Sequence, residues 1–322
     1  MRAERWSHAS HRTSGVLIGL ASAFAFASSG SFVKPLLEAG WSVGATVFVR
    51  MAGAAIVLLP VLIAQLRREP RFFARHWRLI VGFGLTGVAG TQLFYFAAIE
   101  RMPVAIALLI EYLAPVMLVG LAWARTRRAP ARLVLWGSLL SIVGLVLVVD
   151  ITGASFDLLG VGFSLAAALC LGAYFLLSEK SGDAVPPLVL AAGGLAVGAV
   201  LVGILTGIGV LPFLAPAVDV SLAGVSVPWF VPLLWVILVS TALSYGLGVL
   251  ASSRLGSRVA SCGGLSGVRL AALIAWFVLG EAPTLVQAIG GALIVAGVVL
   301  VRTDGSPDAK DAAASFPGVP AP

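Results

Sequence analysis

Residues 98–148, AIERMPVAIALLIEYLAPVMLVGLAWARTRRAPARLVLWGSLLSIVGLVLV, align without a gap on residues 251–301, ASSRLGSRVASCGGLSGVRLAALIAWFVLGEAPTLVQAIGGALIVAGVVLV, when the chain is slid by 153 residues. Of the 51 pairs, 13 are identical. Alanine and valine matches are cheap in an apolar chain. Arg101/Arg254, Trp123/Trp276 and the Ala-Pro dipeptides at 129–130 and 282–283 in one frame are not, and Gly137/Gly290 and Gly144/Gly297 share that frame. The sequence therefore reads as an internal duplication.

Working outward, apolar runs between charge clusters lie near 15–33, 44–64, 79–98, 103–123, 133–150, 158–178, 186–208, 229–249, 259–279 and 284–301. The chain is 60% hydrophobic and 11% charged, against about a quarter charged in a soluble domain. Runs of about 20 apolar residues match the thickness of a bilayer core. They do not alternate as strands would, and lipid tolerates only helices or closed barrels. The expected fold is an all-α integral membrane protein with about ten transmembrane helices as two inverted five-helix repeats. Five spans is an odd number, so the second copy threads the membrane upside down. The expected domains are an N-terminal arm at 1–14, repeats at 15–150 and 158–302, and a disordered tail at 303–322.

Basic residues set the orientation. On this map 17 of the 21 fall on one side: Arg2, Arg5, Arg12, Arg67, Arg68, Arg71, Arg75, Arg78, Arg125, Arg127, Arg128, Arg132, Lys180, Arg254, Arg258, Arg302 and Lys310. Lys34 and Arg101 fall opposite, and Arg50 and Arg269 lie within spans. The positive-inside rule then places both termini in the cytoplasm of a multi-pass cell-membrane protein. The basic arm resembles a signal peptide's charged region, but no small-residue cleavage site precedes a soluble domain, so the first apolar run stays as a span. Residues 209–228, with Pro212, Pro216 and Pro228, read as a connector in preference to a cap lying on the interface. Trp41, Trp77, Trp123 and Trp229 fall near span ends as interfacial anchors. Cys170 and Cys262 read as small packing residues.

Certain motifs resemble those of the EamA family of the drug/metabolite transporter superfamily. They are Val49-Arg50, Leu279-Gly280-Glu281 and the closing Gly-Gly-Ala-Leu-Ile-Val-Ala-Gly-Val-Val-Leu at 290–300. Leu93-Phe94-Tyr95, Pro103, Leu109-Ile110-Glu111, Pro115 and Ser240-Thr241-Ala242-Leu243 look like the threonine/homoserine-exporter branch. The resemblance covers roughly residues 14–302 and implies a ten-span permease with inverted repeats. Two departures stand out. Arg127-Arg128 occupies the place of the Leu-Gly-Glu element in the first repeat, and Gly267-Val268-Arg269 stands where similar proteins often carry an acid.

Glu111 is the acidic residue clearly inside a span, where an ionised carboxylate costs about 2.5–3.5 kcal/mol to insert. It is expected either to line a central cavity, binding an ammonium group or cycling a proton, or to pair with Arg50 or Arg269. Arg50 either snorkels toward an interface or lines that cavity. Arg269, deeper, would receive a substrate carboxylate, neutralise Glu111 or replace a lost acidic partner. The 153-residue shift pairs Thr91-Gln92 with Ser244-Tyr245, and Tyr95 and Thr241 sit one turn away. Hydroxyl and amide groups at matching depth suit a central hydrogen-bonding site or interhelical bonds. These nine residues form the expected substrate-binding set.

His8, His11 and His76 lie in cytoplasmic segments. There is no H-E-x-x-H, Cys/His cluster, facing carboxylate pair or Walker-type phosphate loop, so no enzyme activity and no cofactor are expected. The basic residues form no nucleic-acid-reading motif, despite the net charge of +7. The expected partners are a small-molecule substrate and the lipid bilayer, with protons as candidate coupling ion and a homodimer left open. The expected function is secondary transport, exporting amino acids or related metabolites, with efflux of drugs or toxic compounds as the alternative.

Overall fold

The computed structural model describes the backbone of residues 2–127, 129–149, 157–181, 184–255 and 257–303. Side chains are described for the same residues except 2–16, 125, 175, 178–181, 252–266, 268, 302 and 303. The expected disordered tail and the side chains of the basic arm, Lys180, Arg254, Arg258 and Cys262 lie outside the described residues.

Every expected apolar segment is helical. The helices are α1 (Arg2–Glu38), α2 (Val43–Arg68), α3 (Phe72–Gly82), α4 (Thr91–Ile99), α5 (Val104–Glu111), α6 (Ala114–Thr126) and α7 (Arg132–Val149). They continue as α8 (Leu158–Ser181), α9 (Pro187–Gly207), α10 (Phe230–Leu234), α11 (Ser244–Leu255), α12 (Ser257–Leu279) and α13 (Leu285–Thr303). Among the described residues seven helical spans are long and apolar enough to cross a bilayer, and Leu158–Tyr174, Arg269–Leu279 and Leu285–Val301 are shorter apolar helices. Ile56, Ile142, Val200, Ile204 and Phe277 are among many large apolar side chains left exposed. A water-facing surface of that kind would aggregate, whereas lipid is its natural solvent. The protein is a multi-pass membrane protein.

Two spans are interrupted by π-helix. Phe83–Gly90 links α3 to α4, and Trp235–Leu243 links α10 to α11. Moved by 153 residues, the first segment falls on 236–243, inside the second. A third span is interrupted by a turn: α5 ends at Glu111, Tyr112 and Leu113 form the turn, and α6 begins at Ala114. Pro115 explains the break, because it has no N–H to offer the Glu111 carbonyl four residues back and its ring crowds that position.

The sequence-equivalent helices α7 and α13 pack antiparallel through their shared glycines. A Cβ on Gly137 would lie 2.7 Å from the Gly297 carbonyl oxygen, and one on Gly144 would lie 2.6 Å from that of Gly290. Ser141, between them, donates to the Gly137 carbonyl at 3.0 Å. Small residues let backbones approach where lipid supplies no hydrophobic drive between helices.

Residues 209–228 depart from the expected connector. They fold back as an antiparallel hairpin, β1 (Val220–Leu222) with β2 (Val225–Val227). Val220 is buried with Leu36, Trp41, Leu233 and Ile237. Ser42 caps α2, accepting from the Ala45 N–H at 3.2 Å, while its hydroxyl donates to the Pro212 carbonyl at 2.7 Å. Trp41 is therefore no lipid-facing anchor: its indole is buried and donates to the Pro216 carbonyl at 2.9 Å. Trp77 and Trp123 are exposed, as anchors should be. Outside the spans, Asp157 caps α8 by accepting from the Gly160 N–H at 2.8 Å and lies 3.3 Å from Arg101. The Gly160 amide, aided by Arg101, holds its carboxyl below the usual carboxylate range.

Gly144→Val drives a side chain into the Gly290 backbone, which cannot yield as a flexible side chain would. It should destabilise the protein by about 1–3 kcal/mol, read as a lower melting temperature in detergent. Gly120→Ala, with nothing within 4 Å, should leave it unchanged or slightly higher.

Candidate functional site

Arg50 is 3% exposed, so it does not snorkel. Its Nε–H donates to Thr241 Oγ1 at 2.9 Å and its Nη1–H to Ser29 Oγ at 2.6 Å. The guanidinium carbon stands 5.3 Å from the centre of the Phe96 ring, a cation–π arrangement. Thr241 passes its own proton to the Val236 carbonyl at 2.8 Å, five residues back in the π segment. The irregular turn thus aims the threonine oxygen at the guanidinium. One cation ties together α1, α2, α4 and the second π segment.

Beside it, α1 and the same π segment are joined by a second set of bonds. Ser28 donates its single proton to the Ala25 carbonyl at 2.7 Å. Its lone pairs therefore accept from Ser240 Oγ and Trp235 Nε1, each at 2.9 Å. Trp235 also stacks on Phe32 with ring centres 4.8 Å apart.

Glu111 differs from Arg50. It is 6% exposed and sits at the helix break. Among the described residues its carboxylate forms no ion pair and no hydrogen bond. Arg50, Tyr95 and Cys170 lie within electrostatic range of it, but the expected pairing with Arg50 is not a contact. The centre therefore holds a cation engaged by the protein and a carboxylate that has no partner among the described residues.

The remaining expected residues divide. Tyr95 is buried, its hydroxyl pressed against Gly30 beside Val104. Tyr245 is half-buried and within electrostatic range of Arg50. The Gln92 side-chain oxygen is buried without a hydrogen-bond partner. Ser244 is buried, and its backbone carbonyl accepts from Ser22 Oγ at 2.8 Å. Thr91 serves its own helix, bonding the Thr86 carbonyl at 3.3 Å. Arg269 is corrected most: it is exposed and makes no ion pair among the described residues, so it neither neutralises Glu111 nor joins the central cluster. Ser28, Ser29, Phe96 and Trp235 were missed. The run Ser28-Ser29-Gly30-Ser31 was their one visible signal, a polar patch in the first span.

Among the described residues no three His, Cys, Asp or Glu side chains gather as metal ligands. The arrangement suits holding small charged or hydrogen-bonding groups.

A model of the EamA-like transporter family matches the chain twice, over residues 13–150 and 158–303. Among curated proteins, the chain is 29% identical over 244 residues to "Threonine/homoserine exporter RhtA" of Escherichia coli strain K12, covering 74% of this chain and 76% of that one. The same protein from Escherichia coli O157:H7 matches to the same extent. A solved crystal structure, 21% identical, superposes with a TM-score of 0.57 over 91% of this chain and 98% of its own, which is a likeness of fold. With the family's model matched twice across nearly all of its membrane-spanning length, this chain belongs to the EamA-like transporter family.

Proposed function

We propose that this protein is a secondary transporter of the cell membrane that exports amino acids or closely related small metabolites, with Glu111 at the centre of its pathway. The observation that carries this reading is the contrast at the centre. Arg50 is engaged by Ser29, Thr241 and Phe96, whereas Glu111 is buried at a helix interruption and has no partner among the described residues. Broken helices at mid-membrane are where transporters place substrate and coupling-ion sites. A vacant carboxylate there receives a substrate ammonium group or a proton, and exchange of one for the other couples export to the proton gradient. Tyr95 lies within electrostatic range of Glu111, and Tyr245 and Thr241 stand by Arg50. The name of the Escherichia coli relatives supports an amino-acid cargo.

The architecture proposed is ten spans in two inverted five-span repeats, with both termini cytoplasmic. The reciprocal packing of α7 and α13 supports it: Gly137 meets Gly297 while Gly144 meets Gly290, as two equivalent helices related by a two-fold axis must. The matched π segments and the twofold family match support it further. Inverted halves that exchange conformations expose one site alternately to each side.

Efflux of lipophilic cations is the second reading. The aromatic groups Phe32, Trp235, Tyr95 and Phe96 near the centre favour it.

The deciding assay uses proteoliposomes with radiolabelled threonine, homoserine and a cationic dye, with and without an imposed proton gradient. Gradient-stimulated movement of one amino-acid class, reduced at least about tenfold in Glu111→Gln (about 1.4 kcal/mol per tenfold), is the expected result. Dye movement with no amino-acid movement would overturn the amino-acid reading. Arg50→Ala should act on stability first, losing about 1.5–3 kcal/mol for each charge-assisted hydrogen bond removed, visible as a lowered melting temperature. A variant of unchanged stability that loses only transport would instead make Arg50 a substrate contact.

A further inference from the structure

At the membrane face opposite the basic loops, Lys34 near the end of α1 bonds the carboxylate of Glu281, just beyond α12. The other carboxylate oxygen accepts from the Val104 N–H, the first residue of α5, at 2.9 Å. The Lys34 ammonium also donates to the Met102 carbonyl at 3.3 Å. Both charged side chains are only about 15% exposed, at 14% and 15%. Gly280, in the left-handed region at φ 73°, turns the chain out of α12 so that Glu281 reaches across. The hairpin tip holds this corner, with the Ala223 N–H donating to the Val278 carbonyl at 3.0 Å. Leu279-Gly280-Glu281 is thus a helix end, a backbone turn and a charged clasp.

The clasp joins the two halves of the chain: Lys34 and Val104 belong to the first, Glu281 to the second. Contacts that bridge the halves at one face must part when one half rocks against the other. The clasp is also linked to the centre. α5 is eight residues, a rod about 12 Å long, with Val104 in the clasp at one end and Glu111 at the other. Tyr95, lodged against Gly30 beside Val104, lies within electrostatic range of both Glu111 and Glu281.

The departure at Arg128 fits the same picture. Aligning the starts of the two family matches registers Lys34 with Glu179, and aligning their ends registers Glu281 with Arg128. Acid and base are exchanged together, so the two basic members, Lys34 and Arg128, lie in the first half and the two acidic members, Glu179 and Glu281, in the second. Both side chains of the second pair lie outside the described residues, and the correspondence is one of sequence alone.

We propose that Lys34, Glu281 and the Val104 amide form the outer latch of the transport cycle, closed in this structure, and that α5 couples its opening to the occupancy of Glu111. This rests on the reading of Glu111 as the substrate-linked carboxylate and of this face as the outer one.

The test places spin labels at exposed Glu100 and Ala282, in a Cys170→Ser, Cys262→Ser background in nanodiscs, and measures the distance distribution between them. Glu281→Gln should raise the long-distance fraction at least threefold, and Glu111→Gln should shift the same fraction at least twofold. A distribution unmoved by Glu281→Gln overturns the latch. One moved by Glu281→Gln but not by Glu111→Gln overturns the coupling through α5. As a second measurement, Lys34→Cys with Glu281→Cys is joined by a short bis-methanethiosulfonate cross-linker in proteoliposomes. Transport should fall at least tenfold and return with dithiothreitol; undiminished transport through the cross-linked protein overturns the latch. If wild-type liposomes move no amino acid, the amino-acid reading fails, while the distance measurement still decides the latch.

Discussion

A guanidinium held away from water must find its hydrogen bonds inside the protein, and Arg50 organises this structure because its partners come from so many elements. Ser29 on α1, Thr241 in the second π segment and Phe96 on α4 converge on it. Stripping one hydroxyl from such a group leaves a buried charged donor unsatisfied, which costs more than losing an exposed bond. The bond set therefore fixes how the first, second, third and eighth helical spans meet. The Ser28, Ser240 and Trp235 bonds extend the same seam between α1 and the π segment.

Against that fixed seam, other parts of the centre are irregular. Regular α-helix satisfies every backbone group internally, and departures from it in a membrane survive only where protein or a cavity supplies partners. Here the departures fall around the charged residues: two π segments at matching positions and the break that ends α5 at Glu111. π segments are common at functional positions because they re-aim side chains, as Thr241 illustrates. Glu111, unlike Arg50, has no ion-pair or hydrogen-bond partner among the described residues.

Much of this was legible in the sequence because the bilayer simplifies the code. Length and hydropathy located the helical segments, and the ungapped register of 98–148 on 251–301 brought out the matched glycines that the structure places between α7 and α13. What pattern could not convey was direction. Arg50 and Arg269 both stand within apolar runs, yet one turns inward to three partners and the other is exposed, because the outcome depends on helix rotation that composition does not encode. Ser28 and Ser29 look like packing residues until the π segment brings Trp235, Ser240 and Thr241 beside them. The hairpin at 220–227 was obscured by its prolines and by its brevity, since its hold on the structure comes from Trp41 and Ser42, remote in sequence. Glu281 was legible as a motif and not as a partner of Lys34, because pairing across 247 residues leaves no local trace.

The most direct measurement of the central claim is solid-state NMR of the protein in lipid, with 13C in glutamate carboxyls and 15N in arginine guanidinium groups, recorded before and after adding threonine. One carboxyl resonance, absent from Glu111→Gln, should shift on addition while the Arg50 guanidinium signals stay in place. A moving Arg50 signal with an unmoved Glu111 carboxyl would contradict that claim, making the buried cation the recognition group and the carboxylate a bystander.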